Sequence, residues 1–397
     1  MAEHSVVRAV DSYQLESGRW TKGRNVLMFL ALVSWIGAAA GFALDRTQFF
    51  RSYLYGFTTP MLIVFGATFF TMVQYLSGSV WSMTLRRFME NIMSTMPAAA
   101  LLFVPVAFGV HEIFPWAHEG HITDPGKAAY LSPQFFTIRA AAYFVLWNLF
   151  ALGIYRSSTR QDATKSIAET RTSLKWSAPG VFFLFVTASL AVFDWVMSLD
   201  PHWFSTMFGV YQLAMGALAF MALLTLIALG FRSAGVLANS ITIEHYHDLG
   251  KWMFALTAFY TYISFCQYLL IWYASIPEEV VWYNHRFHGG WLAISALLPV
   301  AKFFFPFFLL LARSAKRNLK ILTLAAIWIL VFHCVEMFWL IKPTFSPEHV
   351  TVHWLDLVCL AATTSTLALV FWSRFKSHAL VPVGDLRFEQ GLRFENV

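Results

Sequence analysis

Ten apolar runs of roughly twenty residues dominate this sequence, near 25–44, 53–76, 89–110, 135–155, 178–198, 204–230, 252–274, 290–312, 321–341 and 352–373. Runs of that length match the roughly 30 Å of hydrocarbon in a bilayer at about 1.5 Å of rise per helical residue. Lipid offers no partner to a bare peptide group, so each crossing must close its own backbone hydrogen bonds, and a helix does so within one segment. The chain therefore reads as an all-α integral membrane protein with ten transmembrane helices. Residues 1–24 form an N-terminal segment, 25–373 one membrane domain and 374–397 a C-terminal tail. With 58% hydrophobic and 13% charged residues, no separate soluble domain is left. The polar N-terminal segment is too long for a cleavable signal peptide.

Basic residues orient the helices. With even alternation, one set of flanks holds all 28 Lys and Arg except Arg46, Arg51, Lys127, Arg139, Arg286, Lys342 and the mid-span Lys302. Positive charge stays on the cytoplasmic side, which places both termini there and the protein in a cytoplasmic (inner) membrane. The net charge of +6 thus reflects topology, and nucleic-acid binding is excluded as a reading. The opposite loops carry Trp116, Trp203, Trp282, Trp291 and Trp354, an interfacial aromatic belt. They also carry His111, His118, His121, His202, His285, His288 and His349, whose spacing matches no metal-ligand pattern.

Asp194, Lys302, His333, Glu336 and Asp356 lie inside apolar runs. A charge at mid-membrane costs about 2.5–3.5 kcal/mol even on insertion scales, so such residues are functional candidates. Counting along alternating helices puts Asp194 near the outer end of the fifth and Glu336 in the outer third of the ninth. His333 shares a helical face with Glu336 at i,i+3, and His353 and Asp356 open the tenth helix with the same spacing. Lys302 falls near mid-membrane on the eighth. Toward the cytoplasm, Gln74, Glu90 and Asn91 mark the ends of the second and third helices, and His245-Tyr246-His247-Asp248 precedes the seventh. Burial disfavours charge and moves such groups toward exchange near neutral pH. The pattern is that of two proton half-pathways with Lys302 between them. Hydrogen-bonded helix contacts are the structural alternative.

Redox chemistry in the chain itself is not indicated. Cys266, Cys334 and Cys359 are far apart with no CxxC or CxxCH, which disfavours iron–sulfur or c-type haem ligation. A b-type haem needs two axial histidines at one depth, whereas His333 lies about 12 Å below the outer end of its helix and His353 at the entrance of the next. No catalytic or metal-binding residue is assigned. Past the last run, Leu386-Arg387-Phe388-Glu389 and Leu392-Arg393-Phe394-Glu395 alternate apolar and charged residues. This tail suits an extended strand on a partner subunit, or a disordered segment.

Several strings carry a resemblance. They are Phe193-Asp194-Trp195-Val196-Met197-Ser198-Leu199-Asp200-Pro201-His202-Trp203, Ser205-Thr206-Met207-Phe208-Gly209-Val210-Tyr211, His245-Tyr246-His247-Asp248-Leu249-Gly250-Lys251, Ile271-Trp272-Tyr273-Ala274-Ser275-Ile276-Pro277-Glu278-Glu279, Gln74-Tyr75-Leu76-Ser77-Gly78 and Arg86-Arg87. Together, over about residues 24–375, they resemble the ActF group of NrfD/polysulfide-reductase-like membrane subunits of bacterial alternative complex III. The resemblance implies two four-helix bundles, helices 2–5 and 6–9, with helices 1 and 10 outside. It implies a paralogous NrfD-like (ActC-like) subunit, an iron–sulfur subunit, haem c subunits, small membrane subunits and a terminal oxidase as partners, with lipids around them. The haem c and iron–sulfur clusters would sit in those partners, and menaquinol or ubiquinol would be the substrate of the complex. Within the family, the paralogue is the better candidate for quinol oxidation, and the ActF group has been suggested to conduct protons. Three functions follow as expectations. The chain is a redox-silent proton-conducting subunit, a quinol-binding subunit in its own right, or a stand-alone secondary transporter, which the mid-membrane charges alone would also suit.

Overall fold

The computed structural model describes residues 12–118, 120, 122 and 124–396; His121 lies outside them. Ten helices are long and apolar enough to cross a membrane: α1 (Ser17–Leu44), α2 (Arg46–Leu76), α3 (Arg86–Phe108), α4 (Pro133–Thr164), α5 (Ile167–Leu199), α6 (Phe208–Ser233), α7 (Ile243–Ala274), α8 (Trp291–Leu311), α9 (Leu319–Thr344) and α10 (Trp354–Lys376). The ten apolar runs correspond to these one by one. Most helices extend beyond their runs because polar turns continue the helix past the hydrocarbon. α1 begins at Ser17 rather than near residue 25, and His245–Asp248 occupy the first turns of α7 rather than preceding it.

Helices α2–α5 form a ring in which each packs on the next and α5 returns to α2; α6–α9 repeat the arrangement. α1 and α10 pair with each other and lie against α2. The fold is thus two four-helix bundles and two outer helices. The hub is α2, whose most apolar window is 83% buried by protein, against 22% for α1, most of whose surface this chain leaves uncovered.

The bundles meet where α2 crosses α6, and small residues permit the approach. A Cβ on Gly66 would lie 2.7 Å from Gly216 O, and one on Gly216 would lie 2.4 Å from Leu62 O. Neither backbone can yield, so glycine is required on both sides, as at other close membrane-helix crossings. Pro60, buried in the middle of α2, removes the amide that would bond Gly56 O. Thr363 Oγ1 of α10 donates to that carbonyl at 2.6 Å, and a Cβ on Gly56 would strike the Cys359 backbone at 2.6 Å. The proline defect becomes the seam that holds α10 to α2. Bundle α2–α5 fills its centre with Trp195, which touches the rings of Phe57, Phe103, Phe144 and Trp147.

The tail packs on its own chain. It folds back across the end of the bundles where both termini meet, with Leu380 N donating to Tyr13 O at 2.7 Å. Leu380 and Val381 are fully buried, Phe388 packs edge-on against Tyr13, and Gly391 O accepts from His245 Nε2 at 3.1 Å. Arg86 Nη2 donates to Asp385 at 2.7 Å, tying the tail to α3. Of the alternating apolar residues, Phe388, Leu392 and Phe394 pack within the chain while Leu386 stays exposed, and the short helix at Phe388–Leu392 replaces the expected extended strand.

Two outcomes follow. Gly216→Val should abolish folding of the membrane body, read as loss of a monodisperse peak in fluorescence-detected size exclusion, since the clash is with backbone. The second concerns Asp385: burial alone would raise its carboxyl, but Arg86 and the Arg387 amide outweigh it and hold it below the usual aspartate value. Its ion pair then steadies the docked tail above about pH 3.9, the unfolded value, and the effect is lost as pH falls through the lower folded one. Asp385→Asn should raise amide exchange of residues 380–392 at neutral pH by about tenfold or more, the worth of one charge-assisted bond. Wild type should show the same increase only in acid.

Candidate functional site

Pro299 interrupts α8, and a π-helical turn follows at Val300–Phe304. Widened turns of this kind are rare and cluster at functional sites. Here the turn carries Lys302 into the interior of bundle α6–α9, where its Nζ lies 2.8 Å from Glu336 Oε2 of α9, both side chains being nearly inaccessible. Ala301 O, within the same turn, accepts from Trp328 Nε1 at 2.8 Å.

Two phenols complete the group. Tyr211 of α6 and Tyr260 of α7 both donate hydrogen bonds to Glu336 Oε1, and their rings stack 5.8 Å apart. Lys302 Nζ also sits 4.5 Å from the Tyr260 ring centroid. Each of the four helices of the bundle thus contributes one member. The lysine–carboxylate contact is not aligned as a hydrogen bond, so both groups keep hydrogen-bonding capacity. Both line a cavity of about 480 Å³, within the range of small-ligand sites. Its other walls include Gln267, Ser264, Tyr268, Tyr283 and Trp339, which makes it an aromatic-rich, mainly apolar chamber with a few polar groups.

Around this centre, buried polar atoms remain without a protein partner. His333 Nε2 donates to Thr59 O at 2.9 Å, which fixes the tautomer and leaves Nδ1 unused. Both amide atoms of Gln212 and the hydroxyl of Thr261 are in the same state. A buried orphan atom costs about 1–3 kcal/mol, so each of these positions calls for a partner beyond the neighbouring side chains.

The other sequence candidates fall into separate groups. Asp194 belongs to bundle α2–α5, where Arg139 of α4 grips it through Nη2 at 2.8 Å and Nε at 3.0 Å, with Tyr143 at 3.4 Å. Arg139 also rests 3.8 Å from the ring centroid of Tyr130. Outside the spans, the Tyr130 phenol is pushed up to about 12 by burial and by the Asp194 charge. Asp356 pairs with Lys342 and accepts from Ser52 Oγ at 2.6 Å. Its other oxygen accepts from His353 N at 2.9 Å, while His353 Nδ1 accepts from Leu355 N at 3.3 Å. His353 and Asp356 thus cap α10.

At the opposite end, Glu90 is fully buried between Arg86 and Arg87, at 3.3 and 3.2 Å, and accepts from Tyr75 at 2.8 Å and Ser158 at 2.7 Å. Arg87 reaches on to Asp162 at 2.6 Å. Asn91, Gln74 Oε1, Tyr155 Oη, Ser173 and Ser177 belong to the same bundle and lack protein partners. His378 stacks edge-on against Tyr155; burial and the nearby Arg87 and Arg374 hold its imidazole below the ordinary value. At the start of α7, His245 receives the tail, Asp248 pairs with Lys251, and His247 is buried with Nδ1 unused.

Lys302 and Glu336 are therefore brought together, whereas Asp194 and Asp356 each meet a different cation, and His333 faces the α2 backbone. Sequence reasoning passed over Arg139, Lys342, Tyr211 and Tyr260. Arg139 lies inside an apolar run, a signal as strong as that of Asp194, yet it was counted among the topological charges. Among the described residues, no group of three or more His, Cys, Asp or Glu is placed to hold a metal ion. No family model matches the chain, and no curated protein matches it at a significant level.

Removing one member of a buried pair strands the other, at a cost of about 3–5 kcal/mol. Lys302→Met and Glu336→Gln should each lower thermal stability accordingly, and the double variant should lose much less than their sum. A double-mutant cycle by thermal unfolding in detergent measures the coupling.

Proposed function

We propose that this chain is a redox-silent membrane subunit of a quinol:electron-acceptor oxidoreductase of the alternative complex III type, supporting assembly and moving protons. The observation that carries the proton role is the Lys302–Glu336 pair, with Tyr211 and Tyr260, at the wall of a cavity. The carboxylate has three partners of different acidity, so a proton delivered from the cavity can be shared among phenol, carboxylate and amine. Orphan atoms on His333, Gln212 and Thr261 would hold the water that continues the path. Glu90, Asn91 and Gln74 in the neighbouring bundle, and His245, His247 and Asp248 at the start of α7, form the half-paths from the tail side. The basic flanks support a cytoplasmic location for that side and for both termini, in a bacterial inner membrane.

In this reading the resemblance supplies the setting. A paralogous NrfD-like subunit, an iron–sulfur subunit, haem c subunits and small membrane subunits surround the chain, with a terminal oxidase downstream. They carry the clusters and haems, and menaquinol or ubiquinol feeds electrons to them. Asp194–Arg139 and Asp356–Lys342 act mainly as interhelical ties, because each carboxylate is satisfied by its own cation and hydroxyls.

The cavity also favours a second reading, that quinol binds in this chain itself. An aromatic chamber of about 480 Å³ with Glu336 as proton acceptor and Gln267 as hydrogen-bond partner suits a hydroquinone ring. The two readings separate in the purified complex reconstituted in sealed liposomes. Glu336→Gln should lower the proton-to-electron ratio while quinol oxidation persists. If quinol oxidation falls in parallel in an intact complex, and a photoreactive quinone labels α7 or α9, the second reading replaces the first.

A further inference from the structure

A second cavity lies away from the charge pair. About 710 Å³ opens along the side of α1, floored by Pro60 and Val64 of α2 and walled by Leu223 and Ile227 of α6 and Leu367 and Phe371 of α10. It exists because α1 leans the other way. Gly23, Gly37 and Gly41 let α1 nestle on α10, where a Cβ would lie 2.5 Å from Trp372, 3.1 Å from Val358 and 2.0 Å from Leu355. On the α6 side the helices close at the mouth, where Arg19 Nη1 donates to Ala234 O. The groove between is apolar along its length and basic at that mouth, which Arg19 and Lys22 line. Glu16 lies 3.3 Å from Arg19, with both side chains exposed, and Arg24 covers the Trp20 ring at 4.9 Å. The balance at the mouth remains positive.

We propose that this groove binds one anionic glycerophospholipid, its phosphate held by Arg19 and Lys22 and an acyl chain lying between α1, α6 and α10. The lining is almost wholly apolar from Pro60 up to the basic mouth, which suits an acyl chain that ends in a charged headgroup. Charge argues for an anionic headgroup, because basic side chains at the end of a membrane helix attract anionic lipid over zwitterionic lipid. The lipid supplies the packing that α1 lacks against α6, which makes it part of the fold rather than bulk solvent.

Native mass spectrometry of the purified full-length chain tests this, with phosphatidylglycerol and phosphatidylcholine supplied equally in mixed micelles. Wild type should retain one phosphatidylglycerol over phosphatidylcholine by about tenfold or more, as two basic contacts predict. The Arg19→Gln/Lys22→Gln variant should keep a lipid without headgroup preference. Ile227→Trp, which fills the groove and leaves both charges, should retain none; if it fails to fold, the charge variant still decides. Equal retention of the two lipids by wild type overturns the proposal, as does unchanged preference in the charge variant. Inorganic phosphate that displaces phosphatidylglycerol would reduce the site to a simple anion site. A photoreactive residue at 227 that captures a protein segment in the native membrane would put a partner there instead, and either result also overturns it.

Discussion

A charge taken out of water must find a partner, an opposite charge or, as for Arg286 and Lys316, backbone carbonyls. Four such unions organise this protein: Lys302–Glu336, Arg139–Asp194, Lys342–Asp356, and Arg86 and Arg87 with Glu90 and Asp385. The first three each join two different helices, and the last joins α3 to the tail. Because a stranded partner is so costly, each union also fixes the register of the elements it joins. Apolar packing against lipid-like neighbours does not do that, since Leu packs on Leu almost anywhere.

The two bundles carry related devices in unlike environments. In each, a cation on the third helix meets a carboxylate on the fourth: Arg139 with Asp194, Lys302 with Glu336. Arg139 engages its partner bidentately with good alignment and is covered by Tyr130, so that pair is closed. Lys302 meets Glu336 without alignment, from a π-turn and beside a cavity. Guanidinium forms a rigid fork and stays charged, whereas an amine is a movable point charge that can give up its proton. One bundle therefore holds its pair closed, and the other leaves its pair beside a cavity.

α2 links these regions through its defects. Pro60 frees the Gly56 carbonyl for Thr363, Gly66 admits α6, and Thr59 O receives His333. A regular helix would satisfy its carbonyls internally and present side chains at every contact, holding α6 and α10 further off. The irregularities are what allow one helix to touch both bundles and the outer pair.

Much of this was legible from residue order. The ten spans follow from run length, because hydrocarbon thickness admits one helical solution. The presence of Asp194, Lys302, Glu336 and Asp356 in apolar runs announced that they needed partners, but depth counting placed Lys302 near mid-membrane and Glu336 in the outer third of its helix, and only the folded bundle brought the two together. The identity of the other partners was not legible: Arg139, Lys342, Tyr211 and Tyr260 are remote in sequence from the groups they serve, and which helix faces which is set by packing. The tail shows the same limit. Its alternating pattern announced a surface to be covered, but only the folded bundles, by placing Arg86, His245 and Tyr13 on one face, decided that the surface was their own. Local hydrophobicity determines where the chain becomes helix, while mutual burial of distant charges and glycine-lined crossings determines how those helices meet.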